Sequence, residues 1–344
     1  MSVDINSLVR KNVLKLKPYS SARDDFKGDA SVFLDANENP YPSPYNRYPD
    51  PHQIKLKEEI AKIKGVKTDQ IFLGNGSDEP IDLLIRAFCE PGTDNVLIPQ
   101  PTYGMYTVSA DINAIEIKTV SLTSDFDIDL SGVEKTWNDK TKLLFLCSPN
   151  NPSGNLLSKS KIESLLMRFQ GLVIVDEAYI DFTDYDGFLP LLNQYKNLIV
   201  LQTLSKAWGL AGIRLGMCFS NKEVINILNK IKPPYNISIL TQQVAMESIK
   251  NGELKNKWVQ EIKSERERLK NELIKIKRVE KVYPSDANFL LTKVSNAKAI
   301  YDSLVAKGII TRDRSNVILC DNCLRITVGT KAENNVLLNE LKDA

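Results

Sequence analysis

The sequence predicts an α/β protein: a large domain on a mostly parallel sheet flanked by helices, then a smaller α+β domain. Three observations carry this. Between about residues 50 and 250, short apolar runs alternate with segments of helical period, the rhythm of parallel strands covered by helices. The runs are continuous rather than alternating in polarity, as strands buried on both faces are. After about residue 250 the texture changes to one long amphipathic segment and a few short strands.

The predicted strands are QIFLG (70–74), NVLIP (95–99), KLLFLC (142–147), LVIVD (172–176), NLIVL (197–201) and MCFS (217–220), with helices such as Ser158–Phe169 between most of them. Beyond lie a helix around 255–277, strands near 287–293 and 323–328, and helices around 296–307 and 332–342. The large domain is therefore placed at 30–250, and the small one at 251–344 together with an N-terminal arm, 1–29. The arm has no strand–helix rhythm of its own and is expected to pack on the small domain.

Composition bounds the function. A hydrophobic fraction of 42%, a charged fraction of 26% and a net charge of +2 are ordinary for a globular chain. Charges of both signs are interspersed, so nothing points to nucleic acid or a membrane surface. There is no bilayer-length apolar run and no signal-peptide core, and the expected location is the cytoplasm. Five cysteines fit reduced thiols better than a disulfide framework. The Cys320/Cys323 pair alone is weak evidence for zinc or redox work. His52 is the only histidine, which excludes a multi-histidine metal site and argues against a serine–histidine triad; no metal is expected.

Chemistry gathers where the strands end, the edge at which open parallel sheets bind ligands. After the strand at 70–74, GNGSDEPIDLLIRAF starts a helix with Ser77 as N-cap, Asp78 and Glu79 in its first turn, and apolar residues at Ile81, Leu84, Ile85 and Phe88. This is either an ordinary capped helix or a phosphate seat. SPNNPSGN (148–155) is a turn whose asparagines are turn formers or amide donors. Asp176 closes an apolar strand, where its carboxylate needs a cation or hydrogen-bond donors. Lys206, in TLSKAWGLAGIRLG (203–216), lies just beyond another strand and is either a solvated surface amine or a carrier. Together, an amine, a deep carboxylate, an asparagine, a tyrosine and a phosphate seat suit pyridoxal phosphate. Lys206 would hold the aldehyde and Asp176 would keep the pyridine nitrogen protonated.

SPNNPSG, VIVDEAY and TLSKAWGLAGIRLG resemble the fold-type-I pyridoxal-phosphate-dependent aminotransferases. LDANENPYP (34–42), NRYPDP (46–51), PQPTYGMY (99–106) and CLRITVG (323–329) are similar to the histidinol-phosphate aminotransferase group within them, and the similarity spans nearly the whole chain. The resemblance implies Lys206, Asp176 and Tyr179 as catalytic. Asn151 and Tyr179 would bond the cofactor's phenolic oxygen, and Tyr103 would stack on its ring. Ser77, Asp78, Thr203, Ser205 and Arg214 would hold its phosphate. Tyr48 would reach into the neighbouring subunit's site, making the enzyme a homodimer with shared active sites. Arg325 and Arg312 would receive the substrate's anion, a carboxylate or a phosphate in turn, with Arg314 a second choice for Arg312. Tyr19 and Asn37 would lie near the substrate. Trp208 and Ser153 depart from the commoner phenylalanine and threonine but keep the local chemistry.

The implied activity is a ping-pong transamination between L-histidinol phosphate and 2-oxoglutarate, giving imidazole-acetol phosphate and L-glutamate in histidine biosynthesis. The alternatives are an aromatic amino-acid aminotransferase or a threonine-phosphate decarboxylase on the same scaffold. More remote is a non-catalytic cofactor-binding sensor module, which no basic DNA-binding segment supports.

Overall fold

The computed structural model describes residues 3–19 and 31–343. Its main sheet has seven strands: β1 (Ile71–Asn75), β2 (Asn95–Gln100), β3 (Glu116–Ser121), β4 (Thr141–Cys147), β5 (Leu172–Asp176), β6 (Leu198–Thr203) and β7 (Leu215–Phe219). Their order is β1-β7-β6-β5-β4-β2-β3. Strands β2 to β6 pair parallel, while β7 runs antiparallel to both β6 and β1. The runs predicted as strands all appear.

Alternate residues of each central strand enter two different cores. Leu144, Leu146, Val173, Val175, Leu198 and Val200 face one way; Leu143, Phe145, Leu172, Ile174, Ile199 and Leu201 face the other. A strand that buries both faces has no polar position to spare, which is why these runs read as uninterrupted hydrophobic sequence. Each fully buried side chain of this size contributes about 1.5–3 kcal/mol. Within the main sheet the strand the sequence did not announce is β3, an edge strand (EIKTVS) with residues no more than partly covered and therefore no apolar run.

Helix α4 (Asp78–Phe88) carries the predicted stripe, with Ile81, Leu84, Ile85 and Phe88 all buried. It follows α1 (Ile5–Leu8), α2 (Lys11–Lys15) and α3 (Ile54–Lys64); α5 (Met105–Ile112), α6 (Leu130–Thr136), α7 (Lys159–Arg168), α8 (Lys222–Ile231) and α9 (Ile239–Lys250) complete the large body. The described part of the arm does not pack on the small sheet as expected. Ile5 on α1, Val13 on α2 and Val9 in the extended break between them all join the core under Phe72, Leu84 and Phe88. Arg10 then fixes this segment to the end of α4, donating to Glu90 at 3.1 Å and to the Arg86 carbonyl at 3.1 Å.

The second sheet is antiparallel, in the order β10-β11-β9-β8, with β8 (Val279–Val282), β9 (Phe289–Val294), β10 (Arg312–Asp313) and β11 (Cys323–Thr327). Leu290, Leu324 and Ile326 pack on α10 (Gly252–Leu273), α11 (Ala297–Ala306) and α12 (Lys331–Asp343). The other face points toward the large sheet: Phe289 belongs to the first core, and Leu291 packs with Leu122, Phe126, Cys320 and Cys323. Burial pushes those two thiols up to about 12 and about 11, so both are neutral near pH 7. Helix α10 belongs to both bodies, with Val259 in the first core and Leu269 and Leu273 in the small one. Among the described residues no helix is long and apolar enough to cross a membrane.

Candidate active site

Strands β1, β4, β5 and β6 all end at one crevice. It is lined by Ser77, Asp78, Tyr103, Cys147, Asn151, Asp176, Ala178, Tyr179, Thr203, Ser205, Lys206, Ala211 and Arg214, which include nearly every residue expected to touch a cofactor. A larger groove of about 880 Å³ between α10 and the start of α12, with Trp258, Ile262 and Lys331 on its walls, holds none of them.

One end of the crevice is the start of α4. Ser77 does not cap this helix with its side chain: its backbone is already helical, and its hydroxyl lies 3.4 Å from the Gln202 carbonyl. Glu79 instead closes the turn ahead of the helix, accepting from the Asn75 amide at 2.5 Å. The turn is closed by two glycines. Gly76 has φ +72°, and a Cβ on it would strike the Arg214 guanidinium; a Cβ on Gly216 would strike the Gly76 and Ser77 backbone. Both conditions require glycine, and both bring Arg214 against the helix start, where it meets Asp78 at only 3.5 Å. Thr203 completes this end, its hydroxyl donating to the Leu215 carbonyl and accepting from the Ser205 amide, each at 3.1 Å.

The other end is Asp176, 3% exposed. Its carboxylate accepts from the Tyr106 hydroxyl at 2.6 Å and from the Ala178 amide at 3.1 Å. No lysine or arginine among the described residues forms an ion pair with it, so the buried ion pair weighed from the sequence is not what the fold supplies. Burial raises its pKa while the Tyr106 hydrogen bond opposes the rise. A deep carboxylate held by neutral donors is suited to a cationic N–H arriving from the crevice.

Lys206 stands between these ends. Ala207 and Trp208 beside it are buried, whereas Lys206 itself is open to the crevice, its Nζ 5.7 Å from the Tyr179 ring centre. Its accessible surface reflects that opening. The partial burial of its ammonium, and then Arg325, push its pKa down, the direction that makes an amine more nucleophilic near neutral pH.

The rim comes from the small sheet. Arg325 on β11 donates to Asn151 Oδ1 at 2.5 Å and lies 5.4 Å over the Phe289 ring, which in turn meets Tyr179 edge-on at 5.1 Å. Asn150, by contrast, serves the turn, donating to the Pro101 carbonyl at 3.0 Å. Arg312 lies opposite Arg325 in the β10–β11 register. Arg314 follows on the same face by strand alternation, with its Nε buried and unpartnered. Burial first, and then the neighbouring arginines, lower its pKa.

Three expected residues are not brought to the crevice. Tyr48 is half exposed and stacks on Tyr235 at 4.4 Å. Tyr19 is exposed beside Pro51 and Tyr235. Asn37 is exposed with φ +53°.

Residues 27–341 match the family described as aminotransferase class I and II. The chain belongs to that family. It is 57% identical to the histidinol-phosphate aminotransferase of Parabacteroides distasonis, with 99% of each chain covered. It is 54% identical to that of Cytophaga hutchinsonii, again with 99% of each covered. Its fold matches the histidinol-phosphate aminotransferase structure from Clostridium acetobutylicum with a TM-score of 0.80 and 29% identity, covering 86% of this chain and 90% of that one. The architecture is the fold-type-I aminotransferase architecture, and the crevice occupies its strand-end edge.

Sequence reasoning passed over Tyr106 and Tyr235. Tyr106 stood in the quoted PQPTYGMY, but only the fold carries it from α5 to the end of β5.

Proposed function

We propose that this protein is a transaminase that moves the amino group between L-histidinol phosphate and 2-oxoglutarate, giving imidazole-acetol phosphate and L-glutamate, with pyridoxal 5′-phosphate as its cofactor. The observation that carries this is the placement of Lys206 between a buried carboxylate without a cation and a glycine-lined helix start with Arg214. Those residues fit the group: Asp176 offers an acceptor for a protonated ring nitrogen, and Ser77, Ser205 and Arg214 offer donors for a phosphate. When bound, the cofactor supplies an aldehyde and an electron-accepting ring.

The chain's own residues do the rest. Lys206 would be the amine that holds the cofactor's aldehyde carbon and the base that would move the proton at substrate Cα. Asp176 would accept a hydrogen bond from the protonated ring nitrogen, Tyr103 would cover the ring, and Asn151 and Tyr179 would bond its phenolic oxygen. Arg325 and Arg312 seat the anion. In one half-reaction this is glutamate's carboxylate; in the other it is the phosphate of histidinol phosphate, which has no carboxylate. The full-length relatives above half identity support this substrate pair.

The protein acts as a cytoplasmic homodimer in this reading, with Tyr48 serving the neighbouring site and Tyr19 and Asn37 lying near the substrate. The support is the exposure of Tyr48, together with that of Leu34, Tyr41 and Tyr45. An active monomer in sedimentation would remove that part.

The test is the visible band of the holoenzyme titrated with L-histidinol phosphate, threonine phosphate and phenylalanine in parallel. Bleaching at the lowest concentration by L-histidinol phosphate is expected; tighter bleaching by phenylalanine, or carbon dioxide release from threonine phosphate, overturns the substrate assignment.

A further inference from the structure

Tyr106 is fully buried and lies outside the crevice lining. It spends its only polar atom on Asp176, with the hydroxyl 2.6 Å from Oδ2. Its ring is held on two sides, stacked on Phe145 at 4.9 Å and edge-on to Tyr103 at 5.5 Å. Cys147, the register partner of Asp176 on β4, donates its thiol to the Pro149 carbonyl at 3.3 Å and also lies against the Tyr106 hydroxyl. Asp176 therefore has two fixed donors, the Tyr106 hydroxyl and the Ala178 amide, and the crevice is the remaining open direction.

We propose that Tyr106 is the positioning residue of the acidic end of the site: its hydroxyl keeps Asp176 ionised in a dry pocket and aims its free oxygen lone pairs at the cofactor's ring nitrogen. The inference rests on the reading that the crevice takes pyridoxal 5′-phosphate. A carboxylate desolvated this far tends to take up a proton, and a neutral carboxyl cannot hold a protonated ring nitrogen. Hydrogen-bond donation to the charged form counters that tendency. The other charged or titratable groups near this carboxylate are Asp78 from α4, Glu177 from the same strand end, Cys147 from β4, Tyr103, Tyr179, and Lys206. Only Lys206 among them favours ionisation by its charge, and it is committed to the aldehyde when the cofactor is bound. Tyr106 is then the nearest group still favouring the carboxylate.

The test is Tyr106→Phe, which keeps the ring between Phe145 and Tyr103 and removes one oxygen. Wild-type and variant holoenzymes are reconstituted with cofactor labelled with ¹⁵N in the ring. The nitrogen resonance is expected to move from the protonated toward the unprotonated position. The cofactor dissociation constant is expected to rise roughly tenfold, the loss of one hydrogen bond to a charged group. The turnover number should fall with KM for both substrates nearly unchanged. In an Asp176→Asn background the same substitution should leave cofactor affinity and the nitrogen resonance nearly unchanged, because the coupling runs through the carboxylate. An unshifted nitrogen resonance with unchanged cofactor affinity in Tyr106→Phe, or equal losses in the two backgrounds, overturns the inference and leaves Tyr106 as packing. If the wild-type protein forms no visible band with the cofactor, it is the functional reading that fails.

Discussion

Replacing Arg325 by lysine separates charge from shape at the rim of the site. Arginine presents a planar fork able to grip a carboxylate or phosphate with two parallel hydrogen bonds, and lysine presents one ammonium. In the structure the guanidinium is fixed by Asn151 at 2.5 Å and by the Phe289 ring at 5.4 Å, so its orientation is set before a substrate arrives. Arg325→Lys keeps the positive charge and one prong. The loss is then about one hydrogen bond to a charged group, about 2 kcal/mol, or roughly thirtyfold in kcat/KM. Both half-reactions place an anion there, so both should fall by a similar factor. The assay is single-turnover bleaching of the visible band with L-glutamate and, separately, with L-histidinol phosphate. Rates within about threefold of wild type for both substrates would refute the reasoning, and a loss confined to one would mean that the two anions use different seats.

Lys206→Ala should bind cofactor without the visible absorbance of its covalent attachment and should lose transamination; a fully active variant would falsify the assignment of Lys206. Gly216→Ala places a methyl group against the Gly76 and Ser77 backbone, an overpacking cost of about 1–3 kcal/mol. It should lower the melting temperature and weaken cofactor binding together, whereas unchanged affinity would mean that the helix start is not the phosphate seat. Glu177 is buried, accepting from the Phe188 amide at 2.6 Å and from Gln202 Nε2 at 2.8 Å, and burial pushes its pKa up to about 7. A carboxyl whose folded pKa exceeds its unfolded value holds its proton longer in the folded state. Its stabilising effect is therefore full below about pH 4.5 and is lost as the pH rises toward 7, on the order of 3 kcal/mol across that window. Glu177→Gln should flatten this slope, since an amide does not titrate, and Gln202 can turn its unpartnered Oε1 toward the new amide; equal pH slopes in the melting temperatures of the two proteins would count against it.

The main sheet was legible because its strands bury both faces and so read as unbroken apolar runs. β3 was not, since an edge strand with half-covered residues has no such run, and β8 and β10 are too short to show a period. The capping role expected of Ser77 failed for a local reason: the tight turn through Gly76 leaves Ser77 in helical backbone, beyond the geometry in which a hydroxyl can reach the amides ahead of it. The arm was misplaced because Ile5, Val9 and Val13 are too few to say which core they join. The crevice was readable to the extent that its residues sit at strand ends, as Asp176 and Lys206 do. Tyr106 is on a helix, and its bond to Asp176 spans 70 residues of sequence. A single sequence without its fold holds no trace of that pairing.

The bond between Arg325 and Asn151 has a kinetic consequence. With no anion seated, the Asn151 side-chain oxygen already accepts from one nitrogen of the Arg325 guanidinium, leaving its other N–H donors for an arriving anion. The guanidinium therefore never faces the full cost of an unpaired charge while the site is empty, and a departing product gives up less than a bare arginine would demand. For an enzyme that must release one keto acid or amine before it can admit the next partner, a resident surrogate for the anion flattens the difference between loaded and empty states, which favours turnover over tight retention.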